Sequence, residues 1–211
     1  MSLYPDENEN RVQNQKDEKE PIKIILIGDA GTGKTNLITV LAGYEFNSDT
    51  LTTRACSFIQ KKYTIHNAKY NVNIWDTIGQ ETFRSLTKIF VKDSKIVILV
   101  YDITNKQSFE SLEFWKGVVD ELLKDPHIVG IVGNKMDLYL KEEVKEEECE
   151  KFAKSIEAKY LLTSAKTDNK SFTKFVGELL EDYLKLEPRE RIKSFYLENN
   201  EGEHKKKKKC C

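Results

Sequence analysis

The chain has 211 residues, 39% of them hydrophobic, so it can build one core of ordinary size with polar tails, whereas a second domain would be cramped. Its formal net charge of −1 gives no overall attraction to nucleic acid or to an anionic membrane, and the lysine run 205–209 is the local exception. Four cysteines, two of them the final residues, do not form a disulfide framework, and residues 1–20 lack the apolar stretch of a secretory signal or a membrane span. We therefore expect synthesis in the cytosol.

The predicted folded region covers residues 21–187, between a disordered extension at 1–20 and a flexible tail at 188–211. Both flanking segments carry dense charge without apolar periodicity, and such segments cannot bury enough surface to offset chain entropy. Inside the folded region, short apolar runs alternate with longer amphipathic stretches, which indicates β–α units around a mostly parallel sheet. The predicted strand and helix pairs are 22–27 with 36–41, 95–101 with 109–123, 127–132 with 144–156, and 160–163 with 171–184.

Two consecutive strand-like runs, 55–65 and 70–75, interrupt this alternation. Only residues 66–69 separate them, which is too short for a crossover helix. The two runs should therefore pair antiparallel as a hairpin. The prediction is an α/β fold whose mostly parallel sheet contains one antiparallel hairpin strand.

A glycine-rich loop follows the first predicted strand and opens the first predicted helix. Its sequence, GDAGTGKT at 28–35, matches the phosphate-binding pattern G-x-x-x-x-G-K-[ST]. In such a loop the backbone N–H groups and the helix N-terminus face phosphates, Lys34 reaches the β- and γ-phosphates, and the Thr35 hydroxyl binds Mg²⁺. The residues expected at the phosphates are Asp29, Ala30, Gly31, Thr32, Gly33, Lys34, Thr35 and Asn36.

The segment IVGNKMD at 131–137 ends a later apolar strand, where open α/β sheets place their ligands. The Asp137 carboxylate can accept hydrogen bonds from the N1–H and the exocyclic amine of guanine, whereas adenine offers an acceptor and no amine at those positions. Asn134 would tie the loops together, and Lys135 would lay its stem over the base. The other side of the base would be closed by the residues that follow the last strand, Ser164, Ala165 and Lys166.

The phosphate loop, W-D-T-x-G-Q at 75–80, N-K-x-D and S-A-K follow one another as in the Ras-superfamily small GTPases, which residues 21–187 resemble over essentially their whole length. The resemblance implies a P-loop GTPase domain with six strands and five flanking helices. It implies that Phe46, twelve residues after the loop lysine, contacts the purine edge. It also implies that Thr53, nineteen residues after that lysine, joins the Mg²⁺ shell and senses the γ-phosphate.

By the same resemblance, the segment after the hairpin carries out the chemistry. Asp76 supports Mg²⁺ through water, the Gly79 N–H touches the γ-phosphate, and Gln80 orients the attacking water. Family members usually have Ala where this chain has Ile78. The larger side chain either crowds this turn and changes hydrolysis or the switch equilibrium, or it points without effect into an apolar pocket.

Several stretches resemble Rab proteins in particular: 82–86, 100–104 and the terminal pair Cys210 and Cys211. Residues 84–86 and 91–94 also resemble the Golgi-associated Rab subgroup. The flank 53–58, TRACSF, departs from the Rab pattern T-I-G-x-D-F, so the resemblance does not identify the effectors or the exchange factor. The side chains that are candidates for a partner surface, with ordinary packing of the hairpin as the alternative, are Phe58, Trp75 and Phe83.

The C-terminal cysteines can each take a geranylgeranyl chain, and stable anchoring generally needs two such signals. The neighbouring lysines at 205–209 add attraction to an anionic leaflet. The resemblance implies a place on the cytoplasmic face of an endomembrane, Golgi or transport vesicle, with cycling through the cytosol. It implies as partners an exchange factor, a GTPase-activating protein, a GDP-dissociation inhibitor, an escort protein and effectors, and no nucleic acid.

These residues are compatible with three functions. The first is a GTP-hydrolysing switch with GTP/GDP and Mg²⁺ as cofactors, which controls vesicle traffic. The second is a GTP-locked membrane adaptor that does not hydrolyse, suggested by Ile78 and by the altered flank. The third, an adenine-nucleotide kinase, is disfavoured by Asp137.

Overall fold

The computed structural model describes residues 20–47, 57–77, 89–168 and 170–186, and the account below concerns these residues. Six strands form one sheet in the order β2-β3-β1-β4-β5-β6. Neighbouring strands are parallel except for β2 and β3, which pair antiparallel, as predicted from the sequence. The strands are β1 at Ile22–Ile27, β2 at Ser57–Ile65, β3 at Ala68–Asp76, β4 at Ile96–Asp102, β5 at Ile128–Asn134 and β6 at Lys159–Leu162.

Four α-helices lie within the described part of the chain, together with one short 3-10 helix at Met136–Lys141. The resemblance implied five helices, and between β3 and β4 the described residues resume only at 89, with 89–91 helical. None of the described helices is long and apolar enough to cross a membrane. The α-helices are α1 at Lys34–Leu41, α2 at Lys106–Leu122, α3 at Glu146–Ser155 and α4 at Ser171–Leu186.

The sheet is covered on both faces, because side chains of its central strands alternate between two cores. In β1, Ile24 and Leu26 belong to the cluster formed with α1 and α4. Ile25 and Ile27 of the same strand belong to the cluster formed with α2 and α3. All four side chains have 0% exposure, so residues 24–27 form a continuous buried apolar run, which ends at the glycine loop.

The predicted hairpin is present, but its predicted connection of four residues was too long. Ala68 pairs with Ile65, so the turn consists of His66 and Asn67 alone. These two residues have φ of 47° and 64°, and positive φ at both central positions is the geometry that matches the twist of paired strands. The first residues of the predicted run, 55 and 56, lie outside the described part of the chain.

Helix α2 begins at Lys106, three residues before its predicted start. The Asn105 side chain accepts a hydrogen bond from the Ser108 backbone N–H at 3.1 Å and so caps the first turn. Apolar periodicity marks the face of a helix but not its polar first turn, which is why the prediction began late. The 3-10 helix at Met136–Lys141 was likewise not predicted.

Candidate nucleotide site

Most of the predicted site residues that the structure describes converge at the carboxyl ends of the parallel strands. β1 lies in the middle of the sheet, between β3 and β4. The strands β2 and β3 lie to one side of β1 and the strands β4, β5 and β6 to the other, so the strand order reverses at β1. A crevice at such a reversal is the usual ligand site of open α/β sheets. The loop after β1, the last residue of β3, the last residue of β5 and the turn after β6 are all joined there by side-chain hydrogen bonds.

Two glycines of the loop at 28–33 are required by close backbone approach. A Cβ on Gly28, whose φ is 149°, would lie 2.1 Å from the Val100 carbonyl oxygen in β4. A Cβ on Gly33, whose φ is 90°, would lie 2.3 Å from the Asn134 Nδ2 in the next strand. The loop can therefore press against two strands only because these positions carry no side chain.

Lys34 is almost fully buried at the start of α1, with 5% exposure. Its Nζ donates hydrogen bonds to the carbonyl oxygens of Gly28 at 2.9 Å and Asp29 at 2.8 Å. Burial lowers the pKa of this ammonium to about 8, although the Asp76 and Asp29 carboxylates act in the opposite direction. A buried cation bonded to uncharged oxygens of its own loop suits an anionic ligand such as a phosphate.

Two of the three predicted metal ligands, Thr35 and Asp76, lie next to each other. The Thr35 Oγ1 donates a hydrogen bond of 2.8 Å to Oδ2 of Asp76, which closes β3 and is 3% exposed. Mg²⁺ takes oxygen ligands and is typically bound through one or two carboxylates and waters beside substrate phosphates. A hydroxyl and a carboxylate beside a phosphate loop therefore fit this ion.

Asn134 joins three segments that are distant in sequence. Its Nδ2 donates to the Thr32 carbonyl oxygen at 2.9 Å, and its Oδ1 accepts from the Ala165 N–H at 3.1 Å. Asn134 has 2% exposure, so both bonds are shielded from water. We call Asn134 with its two backbone partners the Asn134 clamp.

Asn134→Ala is expected to lower the free energy of unfolding by about 1–3 kcal/mol, because it leaves the Thr32 carbonyl and the Ala165 N–H buried without a partner. It should also weaken GDP binding, since the phosphate loop loses its link to β5. Urea unfolding and titration with fluorescent GDP measure the two effects. Asn105→Ala is the matched control: it removes the α2 cap at a cost of about 1 kcal/mol and should leave GDP affinity unchanged. Equal affinity loss in both variants would contradict the prediction.

The residues predicted to read the base form a second group of contacts. The Ser164 Oγ donates to the Asp137 Oδ1 at 2.5 Å and accepts from the Lys166 N–H at 3.2 Å. These bonds join the turn after β6 to the segment after β5. They hold one carboxylate oxygen of Asp137 in a defined place at the mouth of the crevice.

Asp102 is a site residue that the sequence reasoning missed. Lys135 adopts a left-handed backbone conformation with φ of 70°, and its Nζ lies 2.6 Å from the Asp102 Oδ2 at the end of β4. The other oxygen of Asp102 accepts hydrogen bonds from the Thr104 N–H and hydroxyl. The sequence could have indicated Asp102 through its position: it is the last residue of a buried parallel strand, and ligands of open α/β sheets bind at the carboxyl ends of the strands.

Trp115 was also missed. Its Nε1 donates a hydrogen bond of 2.9 Å to the Asp29 Oδ1, across a sequence separation of 86 residues. Apolar periodicity marks Trp115 only as a core residue of α2, so no sequence signal connected it with the phosphate loop.

Other predicted residues lie at the margin of the site or outside the described residues. Phe46 is half-buried and packs against the cluster under α1 and α4. Phe58 stacks on Trp75 with ring centroids 4.8 Å apart, and the Phe58 side chain is 48% exposed. The predicted residues that lie outside the described residues are Thr53, Ile78, Gly79, Gln80, Phe83, Cys210 and Cys211.

Comparison with known proteins agrees with this arrangement. The sequence model of the Ras family matches residues 23–184. The chain is similar to the Ras-related protein Rab-21 of Bos taurus and of Homo sapiens, with 40% identity over 144 residues, which is 68% of this chain and 65% and 64% of those relatives. It is similar to Rab-26 of Bos taurus, with 34% identity over 186 residues, 85% of this chain and 73% of that relative. The alignment thus spans somewhat less than two thirds of the Rab-21 relatives. The chain belongs to the Ras family and, within it, to the Rab proteins.

Proposed function

We propose that this protein is a Rab-type small GTPase, which binds GTP and GDP with Mg²⁺, hydrolyses GTP slowly and recruits effectors to a membrane in its GTP state. The observation that carries the proposal is the Asn134 clamp, because it joins a phosphate-binding loop to the two segments that carry the guanine-reading residues. A phosphate loop alone is common to many nucleotide-binding proteins. Here the phosphate loop is linked to the segments that carry Asp137 and its partner Ser164, and this combination favours a guanine nucleotide as the ligand.

Selection of the base rests on Asp137. One of its oxygens accepts the Ser164 hydroxyl, so the carboxylate is oriented before a ligand arrives. A carboxylate accepts hydrogen bonds and does not donate them, which suits the N1–H and amine of guanine. Lys135, held by its ion pair with Asp102, would cover one face of the base with its apolar stem, and Ala165 and Lys166 would lie at the other.

The phosphates would be held by the loop backbone, from Asp29 to Asn36, and by Lys34. When bound, Mg²⁺ would neutralise charge on the phosphate oxygens. Thr35 and Asp76 would hold the ion, and Thr53 would join them in the GTP state. Phe46 would lie against the purine edge, as the family resemblance implies.

Hydrolysis is assigned to Gln80, which would orient the attacking water, while the Gly79 N–H would contact the γ-phosphate. This chemistry depends on positioning and charge stabilisation, so the isolated protein should be slow. A GTPase-activating protein would speed hydrolysis by supplying an arginine that stabilises the charge of the transition state. Loss of the γ-phosphate would release the segments that carry Thr53 and Gly79 from their bound conformation. Effectors, which bind the ordered conformation, would then dissociate.

Membrane attachment is assigned to geranylgeranyl groups on Cys210 and Cys211, with the lysines at 205–209 as a second signal. An escort protein would present the chain for lipid transfer, a GDP-dissociation inhibitor would carry it through the cytosol, and an exchange factor would load GTP. The cytoplasmic face of the Golgi or of transport vesicles is the proposed site of action, and vesicle traffic is the proposed process.

The rival function is a GTP-locked membrane adaptor. The observations that favour it are Ile78, where family members usually have alanine, and the altered flank at 53–58. Retention of Gln80, Thr53 and Asp76 favours the hydrolysing switch.

Single-turnover hydrolysis of GTP with Mg²⁺ distinguishes the two functions. The native protein should turn over GTP slowly and leave ATP intact, and Gln80→Leu should be slower by a factor on the order of ten to a hundred, because the water loses its orientation. Ile78→Ala is the matched arm for the rival. Tight GTP binding without hydrolysis in the native protein, with hydrolysis gained in Ile78→Ala, would replace the switch by the adaptor.

A further inference from the structure

Asp29, the second residue of the phosphate loop, has two sets of contacts. Its carboxylate Oδ1 accepts the hydrogen bond from the Trp115 indole N–H at 2.9 Å, and Trp115 is 1% exposed in the core under α2. Its backbone carbonyl accepts hydrogen bonds from the Lys34 Nζ at 2.8 Å and from the Thr32 hydroxyl at 3.0 Å. One residue therefore links a buried helix side chain to the ammonium at the centre of the loop.

The negative charge of the Asp29 carboxylate matters for the binding of phosphates by the loop. A carboxylate within the same loop as bound phosphates would repel them unless it is held apart and partly neutralised. A hydrogen bond from a neutral donor to a charged acceptor is stronger than one between neutral groups. The indole N–H is such a donor, on a side chain fixed by packing with other residues of α2 and the sheet.

We propose that Trp115 is a positioning residue for nucleotide binding: its N–H holds the Asp29 carboxylate against α2, fixes the Asp29 carbonyl that Lys34 contacts, and keeps the carboxylate charge from the phosphates. This inference rests on the proposed binding of guanine nucleotides. It assigns a role in the nucleotide site to a core residue of α2.

A hydrogen-bonding role and a packing role make different predictions for Trp115. Trp115→Phe retains an aromatic ring in the core and removes the N–H, which frees the Asp29 carboxylate. If that freed charge weakens binding, Asp29→Asn in the same chain should remove the harm, because the amide is uncharged. If Trp115 acts only by packing, the substitution at Asp29 should restore nothing.

The experiment is a double-mutant cycle on affinity for fluorescent GDP with Mg²⁺, using the native chain, W115F, D29N and W115F/D29N. We expect W115F to bind GDP about tenfold more weakly, the effect of losing one hydrogen bond to a charged group, and to release it faster. The double variant should bind GDP more tightly than W115F. Thermal unfolding of all four proteins separates this effect from loss of stability.

Phe114→Leu is the matched control, since the Phe114 ring contacts the Trp115 ring edge-on at 5.2 Å and the substitution leaves the indole N–H in place. It should retain the affinity of the native chain. The inference is overturned if native protein binds GDP and W115F binds it equally well, if W115F/D29N binds no better than W115F, or if F114L weakens binding as much as W115F. Failure of the native chain itself to bind GDP would overturn the proposed function, and the inference with it.

Discussion

Asp137→Asn is expected to weaken GDP binding by about a hundredfold to ten-thousandfold, because two hydrogen bonds to a charged acceptor, each contributing about 1.5–3 kcal/mol, lose their geometry or their charge. The variant should also change its preferred base. An asparagine amide offers one acceptor and one donor, which matches the N1–H and the C2 carbonyl of xanthine. The Asn oxygen can still accept the Ser164 hydroxyl, so the loop geometry should survive.

Affinities for fluorescent GDP and for xanthosine diphosphate, measured on the native chain and on Asp137→Asn, test this expectation. Asp120→Asn is the matched control, since it makes the same chemical change in a side chain that pairs with Lys116 on the exposed face of α2. It should bind as the native chain does. Continued preference of Asp137→Asn for GDP over xanthosine diphosphate would show that another residue selects the base.

Gly33→Ala is expected to eliminate tight nucleotide binding and to destabilise the fold. The added Cβ would lie 2.3 Å from the Asn134 Nδ2, and that amide cannot retreat without breaking its bonds to the Thr32 carbonyl and the Ala165 N–H. The loss of the Asn134 clamp should lower the free energy of unfolding by about 1–3 kcal/mol, in addition to about 1–2 kcal/mol for a Cβ at positive φ.

Gly43 provides the control for backbone strain. It lies just beyond the other end of α1, its φ of 92° is nearly that of Gly33 at 90°, and nothing lies within 4 Å of a Cβ built there. Gly43→Ala should therefore show the strain alone and keep GDP affinity, as read by chemical denaturation and nucleotide titration. Equal loss of stability in the two variants would mean that strain, and not the Asn134 clamp, accounts for the effect at Gly33.

The elements that the sequence predicted well are those in which burial dictates composition. β1 was predicted at its observed bounds because every residue from Ile24 to Ile27 is apolar and a glycine loop ends the run. α4 began where predicted because its buried side chains recur on one face. The length of the hairpin connection was wrong because Ala68 and Lys69, which carry no strong strand signal, continue the antiparallel pairing.

The candidate site could be predicted where its residues belong to a sequence motif whose spacing indicates a chemical role. The glycine-rich loop and N-K-x-D named residues that the structure brings to one edge of the sheet. The links from Asp29 to Trp115 and from Lys135 to Asp102 were not predictable, because each joins a motif residue to a distant partner with no motif of its own. Such pairs follow from the packing of α2 and the register of β4 beside β5, which a single sequence does not specify.

The Asn134 clamp has a consequence for biosynthesis. Asn134 is synthesised 102 residues after Thr32, whose carbonyl it binds, and the Ala165 N–H is added later still. β1 likewise pairs with β3 and β4, both far downstream. Contacts of such long sequence separation are slow to form, because loop-closure entropy is lost before the contact stabilises the chain. A nascent chain that stops before Asn134 therefore carries the whole phosphate-binding motif, but the loop lacks the side chain that ties it to β5 and to the turn after β6.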